Sequence, residues 1–246
     1  MLLVLAAGLL AGGFIGAVGV GGVIIAPLLV LLAGYDIHQA VAVASWSFMF
    51  TGVAGTLSYA RHGSIDWSSA AWLAAGVLPA ALVGALVNTM VPATVVTVII
   101  AVLIAASGLR GLLQRSAEPG GPARTPTATL LVLVGALVGF GSALTGTGGP
   151  VLLIPLLLLG GMRILNVIGV AQAIQIPVAV FASVGYLLFA EIDLLVGTLL
   201  GLTQAAGVLM GARVAHMLPA ASLRRLVAVA LIGTAVLLIV QALTQD

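Results

Sequence analysis

Long apolar stretches with few charges take up most of the chain and alternate with short polar connections. Their approximate limits are residues 2–34, 37–60, 68–90, 93–113, 127–161, 164–189, 194–215 and 222–243. All but the first and fifth have the length of about 20 residues that one membrane-spanning helix needs. The pattern therefore predicts an all-α integral membrane protein.

The first and fifth stretches are too long for a single crossing. About 33 residues would form a helix of roughly 50 Å, whereas the hydrocarbon core of a bilayer is about 30 Å thick. Both stretches contain a glycine cluster at the same point, at Gly19–Gly22 and at Gly146–Gly149. Glycine tolerates the backbone conformations of a chain reversal, so each stretch is predicted to be a helical hairpin broken at its glycines.

The two halves of the chain repeat one another at an offset of 127 positions, which places Tyr59 on Tyr186 and Asp66 on Asp193. Further matching pairs are Gly8 and Gly135, Gly12 and Gly139, Gly19 and Gly146, Gly84 and Gly211, and Pro92 and Pro219. Chance alignment of small residues is the alternative, and the Tyr, Asp and Pro matches argue against it. We predict two membrane repeats, 1–113 and 127–246, each a broken hairpin followed by three transmembrane helices, joined by a polar linker, 114–126.

The arginines indicate how the repeats are oriented. They are Arg61, Arg110, Arg115, Arg124, Arg163, Arg213, Arg224 and Arg225. If each long stretch crossed the membrane once, the arginines would be divided between its two sides, contrary to the positive-inside rule. If each stretch is a hairpin, the second repeat is inverted and all the arginines share one face. We therefore expect inverted-topology repeats in the cell inner membrane, with the linker in the cytoplasm and both termini on the opposite side.

Composition excludes several classes of function. Apolar residues make up 62% of the chain and charged residues 6%, too few to coat a soluble domain. The excess of arginine forms no clustered basic face, so nucleic acid is not an expected partner. There are no cysteines, and His38, His62 and His216 lie at the ends of apolar stretches. No metal site, cofactor or enzymatic centre is expected from this pattern, and the N-terminal stretch, which lacks a basic leader, is expected to be retained.

The glycine breaks are the candidate binding site. Irregular backbone at membrane depth is tolerated only where protein or a wet cavity surrounds it, and a helix that begins there offers N–H groups and a positive dipole end to an anion. Neighbouring hydroxyl and amide side chains would add donors, Ser142 among them. The candidate substrate-binding residues are Gly19, Gly21, Gly22, Ser45, Thr145, Gly146, Thr147, Gly148, Gly149, Gln172, Gln175 and Gln204. For the glutamines, hydrogen bonds between helices are an alternative role.

No Asp, Glu, Lys or Arg lies near the middle of an apolar stretch, which argues against proton antiport through an acidic relay. Export of an anion from a cell with a negative interior needs no coupling ion, since the membrane potential supplies roughly 2.3 kcal/mol per charge per 100 mV. The sequence thus favours potential-driven export.

Three motifs resemble the repeated signature of the TauE/SafE family of sulfite exporters. They are GVGGVIIAP at Gly19 to Pro27, GTGGPVLLIP at Gly146 to Pro155, and GSIDW at Gly63 to Trp67. The resemblance covers nearly the whole chain and implies a membrane permease for sulfite, a sulfonate or a related organosulfur anion. The second motif departs from the first by placing Pro150 directly after the glycine pair.

The expected function is therefore export of a small sulfur-containing anion by alternating access at the repeat interface. An anion channel of the same fold and a membrane scaffold or sensor component without transport are the alternatives. The exact substrate, the coupling ion and the oligomeric state are left open by the sequence.

Overall fold

The computed structural model describes residues 2–88, 126–189 and 191–219, together with isolated positions between and beyond these ranges. The described chain is mainly helical, and none of its described residues forms a strand. Its helices are α1 (Leu2–Val18), a short 3-10 helix (Gly22–Ile24), α2 (Ile25–Ala33), α3 (Ile37–Arg61), α4 (Trp67–Asn88), α5 (Ala128–Thr145), α6 (Pro150–Leu159), α7 (Ile164–Phe189) and α8 (Leu194–Met217). Five of them, α3, α4, α5, α7 and α8, are long and apolar enough to cross a membrane. The predicted all-α membrane class is confirmed.

Some predicted elements lie almost entirely outside the described residues. These are the apolar stretch 93–113 and the linker 114–126, while the stretch 222–243 is described only at scattered positions, which are helical. The division into repeats at residues 113 and 127 therefore stays a prediction.

The predicted breaks occur at the glycine clusters. Helix α1 ends at Val18 and the chain becomes helical again at Gly22, while α5 ends at Thr145 and α6 begins at Pro150. The residue after each first arm is a glycine with a positive φ, 72° at Gly19 and 66° at Gly146. L-residues with a side chain rarely adopt this conformation, so glycine at both positions explains why the helices stop there.

Carboxylates explain where several helices start. The Asp66 carboxylate accepts hydrogen bonds from the N–H groups of Ser68 and Ser69, and Asp193 accepts one from Val196. Asp66 and Asp193 are the matching positions of the two repeats, and each precedes the first residue of a helix. An aspartate at this position satisfies N–H groups that have no partner within the helix and interacts favourably with its dipole.

Helix α1 packs along α8, and α5 packs along α4, which is the equivalent pair under the 127-residue offset. Glycines let the backbones approach: a Cβ on Gly12 would lie 2.8 Å from Gln204 Cα, and one on Gly139 would lie 2.9 Å from Val77 Cα. Such close approach, with small residues at the contact, is typical of membrane helices. Each half thus contributes its first helix to a pair with a helix of the other half.

Two buried tyrosines also occupy equivalent positions. The Tyr59 hydroxyl donates to the Gly16 carbonyl oxygen at 2.8 Å, and the Tyr186 hydroxyl donates to the Ala143 carbonyl oxygen. Each tyrosine joins the second long helix of its half to the last turn of the first arm. The sequence repeat is therefore also a repeat of contacts.

Both hairpins return to the end of the bundle from which they start. Along α1, Gly8 faces Leu200 and Gly16 faces Val208, so α1 and α8 run in the same direction. Just beyond α2, the Tyr35 hydroxyl donates to the Asp193 carboxylate at 2.7 Å, at the start of α8. In the other half, a Cβ on Gly160 would lie 3.9 Å from Pro126, which joins the end of α6 to the start of α5. The glycine breaks therefore reverse the chain.

Replacing Gly12 by Ala should destabilise the protein by about 1–3 kcal/mol, because the new methyl group would overlap the α8 backbone. Gly13→Ala is the matched control, since its methyl group would meet only the Gly207 oxygen, at 3.9 Å. Thermal unfolding in detergent should show a lower midpoint for Gly12→Ala and no loss for Gly13→Ala. Equal midpoints would contradict the described α1–α8 contact.

The Tyr35–Asp193 contact should make stability depend on pH. The Val196 N–H and the Tyr35 hydroxyl lower the pKa of Asp193, while desolvation and the hydrogen bond to Asp193 raise the pKa of Tyr35 to about 12. The contact therefore stabilises above the usual carboxyl pKa of about 4 and below the usual tyrosine pKa of about 10. It is lost as pH falls through the lowered Asp193 pKa, or as pH rises through the Tyr35 pKa.

The measurement is the unfolding midpoint of wild type and of Tyr35→Phe across pH. Between about pH 5 and pH 9 the variant should have a lower unfolding midpoint than wild type. In stronger acid the midpoints of the two proteins should become equal. A difference that is constant at every pH would show that the carboxylate does not contribute.

Candidate functional site

The two glycine breaks lie against each other. A Cβ on Gly22 would lie 2.8 Å from the Thr147 carbonyl oxygen, and Gly19 lies against Ile154 and Pro150 at the start of α6. The breaks are buried, with Thr147 only 1% exposed. The structure thus brings the GVGG and GTGG segments together inside the protein, as the sequence predicted for irregular backbone at membrane depth.

The Phe48 side chain of α3 lies between the breaks. A Cβ on Gly22 would lie 3.0 Å from the Phe48 Cζ, and one on Gly148 would lie 2.9 Å from its Cδ2. The sequence does not single out Phe48, because an aromatic side chain in an apolar helix is usually an ordinary core residue. The available signal was its repeat position: Phe48 corresponds to Gln175 at the 127-residue offset.

Gln175 lies where α7 crosses α3. Its Nε2 donates to the Thr51 hydroxyl at 3.0 Å, and that hydroxyl donates to the Phe48 carbonyl oxygen at 3.1 Å. The Gln175 Oε1 is buried and has no hydrogen-bond partner. An unpaired buried polar atom is costly, so the Gln175 amide has hydrogen-bonding capacity that the described structure does not use.

Gln172, one turn earlier on α7, contacts the first break. Its Nε2 donates to the Ile15 carbonyl oxygen at 2.7 Å in the last turn of α1, and its Oε1 is buried without a partner. The amide N–H of Gln172 thus makes a hydrogen bond between helices. This is the role that the sequence analysis gave as the alternative to substrate binding. Ser45, its repeat equivalent, is buried on α3.

The second break carries hydroxyl groups. The Thr145 hydroxyl donates to the Gly141 carbonyl oxygen at 2.7 Å and lies 3.1 Å from the Thr147 hydroxyl. The Ser142 hydroxyl is buried without a partner. The first break has no hydroxyl in its GVGG segment, so the donors around the paired breaks are distributed unequally.

The remaining glycines of the breaks differ in their surroundings. Gly21 lies against Ala11 and Ile15 of its own first arm, and Gly146 lies against Val41 of α3. Gly148 and Gly149 have φ values of 80° and 97°, which favour glycine. A Cβ on Gly149 would meet only Val178, at 3.4 Å, so this position has the most space.

The described contacts of Gln204 are with α1 rather than with the breaks. It lies on α8 opposite Gly8 and Gly12 of α1. Both of its amide atoms are buried without a hydrogen-bond partner. The structure thus assembles Gly22, Thr147, Gly148, Gln172 and Gln175 around the breaks and α3, and places Gln204 in the α1–α8 interface.

The chain matches the model of a known protein family. A family model described as Sulfite exporter TauE/SafE matches residues 4–238, nearly the whole chain. The chain belongs to the TauE/SafE family. Because this is a transporter family and the chain carries several apolar spans, the protein is a membrane transporter. No curated protein and no solved structure matches the chain.

In this TauE/SafE protein, charge lies away from the paired breaks. Within the described spans, the arginines are Arg61, the last residue of α3, and Arg213, near the end of α8. No group of three or more His, Cys, Asp or Glu side chains in the described ranges could hold a metal ion. An anion at the breaks would therefore have to be attracted by backbone N–H groups, helix dipoles and uncharged donors.

The Phe48–Gly148 contact can be tested by a double-mutant cycle. Gly148→Ala should destabilise the protein through its positive φ and through overlap with the Phe48 ring. In a Phe48→Leu background the overlap is relieved, so the two changes should couple by about 1 kcal/mol or more. Gly149→Ala combined with Phe48→Leu is the control and should be additive, because the Gly149 methyl group would face Val178. The free energies of unfolding are measured in detergent. If they were additive in both cycles, the described contact between Phe48 and Gly148 would be contradicted.

Proposed function

We propose that this TauE/SafE protein exports a small sulfur-containing anion, such as sulfite or an organosulfonate, and binds it where the two glycine breaks meet. The family match over residues 4–238 supports a sulfur-anion substrate. The observation that carries the site is the contact between Gly22 and Thr147, which unites both breaks in one buried place. Glycine there lets backbone N–H groups approach a ligand closely.

The side chains around the breaks suit an oxyanion. The Thr147 hydroxyl is a donor, and α6 begins at Pro150 directly after the second break, so the positive end of its dipole lies beside Gly149. The free Oε1 atoms of Gln172 and Gln175 are acceptors. An oxyanion that retains one proton, such as hydrogensulfite, could donate that proton to either oxygen.

Alternating access in this proposal follows from inverted repeats. The contact of Tyr35 with Asp193 lies at the end of the bundle where α3 and α8 begin. The contact of Gly160 with Pro126 lies at the other end. Equivalent hairpins that start from opposite ends support an inverted arrangement, which would let the paired breaks face each side of the membrane in turn.

The proposed orientation places the arginine-bearing end in the cytoplasm of a cell with a negative interior. Arg61 at the end of α3, Arg163 before α7 and Arg213 near the end of α8 would then share the inner face, as the positive-inside rule requires. The linker 114–126 would be cytoplasmic and both termini would lie outside. Outward anion movement would be driven by the membrane potential, without a proton relay.

The Phe48 ring has a part in this proposal. It fills the space between Gly22 and Gly148, so the described conformation leaves little room for an anion there. Movement of this ring, or of the breaks relative to α3, would open the site. The positive edge of an aromatic ring is compatible with a neighbouring anion.

Gly148→Leu should abolish transport of sulfite by protein reconstituted in liposomes, because the side chain would occupy the space that movement of the Phe48 ring would otherwise open for the anion. Gly161→Leu is the matched control, since Gly161 has the same φ of 80° but no atom within 4 Å of its Cβ position. Both variants carry the same backbone strain, and only the first should lose transport. Saturation with sulfite and acceleration by sulfite on the other side would distinguish a carrier from a channel.

The assignment would fail in one of two separable ways. If wild-type protein moved no sulfur anion, the substrate proposal would be wrong. If wild type moved sulfite and Gly148→Leu did so at the same rate, the transport function would stand and its placement at the breaks would be wrong.

A further inference from the structure

An open apolar groove runs along the surface between α3 and α8. Its volume is about 510 Å³, and its lining includes Met49, Val53, Leu57 and Arg61 of α3 with Ala205 and Leu209 of α8. Val53, Leu57 and Leu209 are between 43% and 53% exposed. Both helices are candidate membrane spans, so the groove faces the lipid side of the described bundle.

The dimensions of the groove match one leaflet of a bilayer. From Met49 to Arg61 the helix rises by roughly 18 Å, slightly more than half of the hydrocarbon thickness of about 30 Å. Arg61 is the last residue of α3, so it marks the interfacial end of the groove. An acyl chain that lies along Leu57 and Val53 would therefore reach from the interface toward the bilayer centre.

Two arginines lie toward the interfacial end of the groove, and only Arg61 belongs to its lining. Arg61 is exposed there, and Arg213 is exposed on α8, one turn beyond the groove residue Leu209. In the part of the chain that the structure describes, neither arginine has a hydrogen-bond or ion-pair partner. Guanidinium groups match the geometry of phosphate, and basic pockets between membrane helices bind anionic lipid head groups.

The repeat provides an internal comparison. At the offset of 127 positions, Arg61 corresponds to Leu188 and Arg213 corresponds to Leu86. The equivalent interface between the halves, formed by α4 and α7, therefore has no charge at either position. The pair of arginines belongs to one of these two equivalent interfaces and does not follow from the shared fold.

From these observations we propose that the groove binds an anionic phospholipid, with one acyl chain along α3 and α8 and the phosphate between Arg61 and Arg213. The proposal does not depend on what the protein transports. It concerns the outer surface of the bundle, whereas the paired breaks lie in its interior.

The test is native mass spectrometry of the full chain, delipidated in detergent and titrated with phosphatidylglycerol or phosphatidylcholine. Wild type should retain phosphatidylglycerol preferentially. Arg61→Gln with Arg213→Gln should weaken that binding roughly tenfold and remove the preference. Arg163→Gln is the charge control, because it removes an exposed arginine that lies outside the groove, and it should retain the preference.

A second variant tests the acyl-chain part of the site. Val53→Trp should reduce retention of both lipids, since the indole would fill the groove while both arginines stay in place. Equal retention of the two lipids by wild type would overturn the proposal, as would an equal loss in Arg163→Gln. A dimer whose mass disappears in Val53→Trp would also overturn it, by showing that a second copy of the chain occupies the groove.

Discussion

A helix that breaks inside an apolar medium leaves backbone N–H and C=O groups without partners, and the bilayer offers none. This constraint governs the arrangement of the molecule, since each unsatisfied group would cost several kcal/mol in lipid. At both breaks, side chains from neighbouring helices donate hydrogen bonds to these backbone groups. Tyr59 and Gln172 donate to the last-turn carbonyls of α1, while Tyr186 and Asn88 donate to those of α5. The breaks are consequently held in the interior, against α3, α4 and α7, where the proposed anion would use the backbone groups that remain.

Much of this architecture could be predicted from the sequence, because it rests on local backbone chemistry. Gly19 and Gly146 stand where a positive φ is required, and Asp66 and Asp193 stand where helices start. The 127-residue offset also pairs residues whose contacts occur twice, as at Tyr59 and Tyr186. Gln204 could not be assigned in this way, and Phe48 had only its repeat partner Gln175 as a signal. Tertiary packing decides which face of α3 contacts the breaks and which helix packs against α8. The apolar stretches have too little periodic polarity for these contacts to be predicted from the sequence.

The differences between the two halves are as informative as the repeat. At the centre, Phe48 stands in one half where Gln175 stands in the other, so the paired breaks have an aromatic ring on one side and an amide on the other. The hydroxyl groups of Thr145 and Thr147 belong to the second break alone. At the periphery, Arg61 and Arg213 have leucine counterparts. The shared scaffold therefore supplies the hairpins and the close helix contacts, while the positions that differ supply the donors and charges on which recognition would depend.

The inverted arrangement of the two hairpins is the central claim, and Gly34 and Gly161 offer the most direct measurement of it. They are equivalent positions at the ends of the two hairpins, both exposed and with open space around the Cβ position, in a chain without cysteine. Single cysteines introduced there would be labelled with a membrane-impermeant maleimide in sealed, oriented vesicles. Inverted repeats predict that the two cysteines react from opposite sides of the membrane, and labelling of both from the same side would contradict the account.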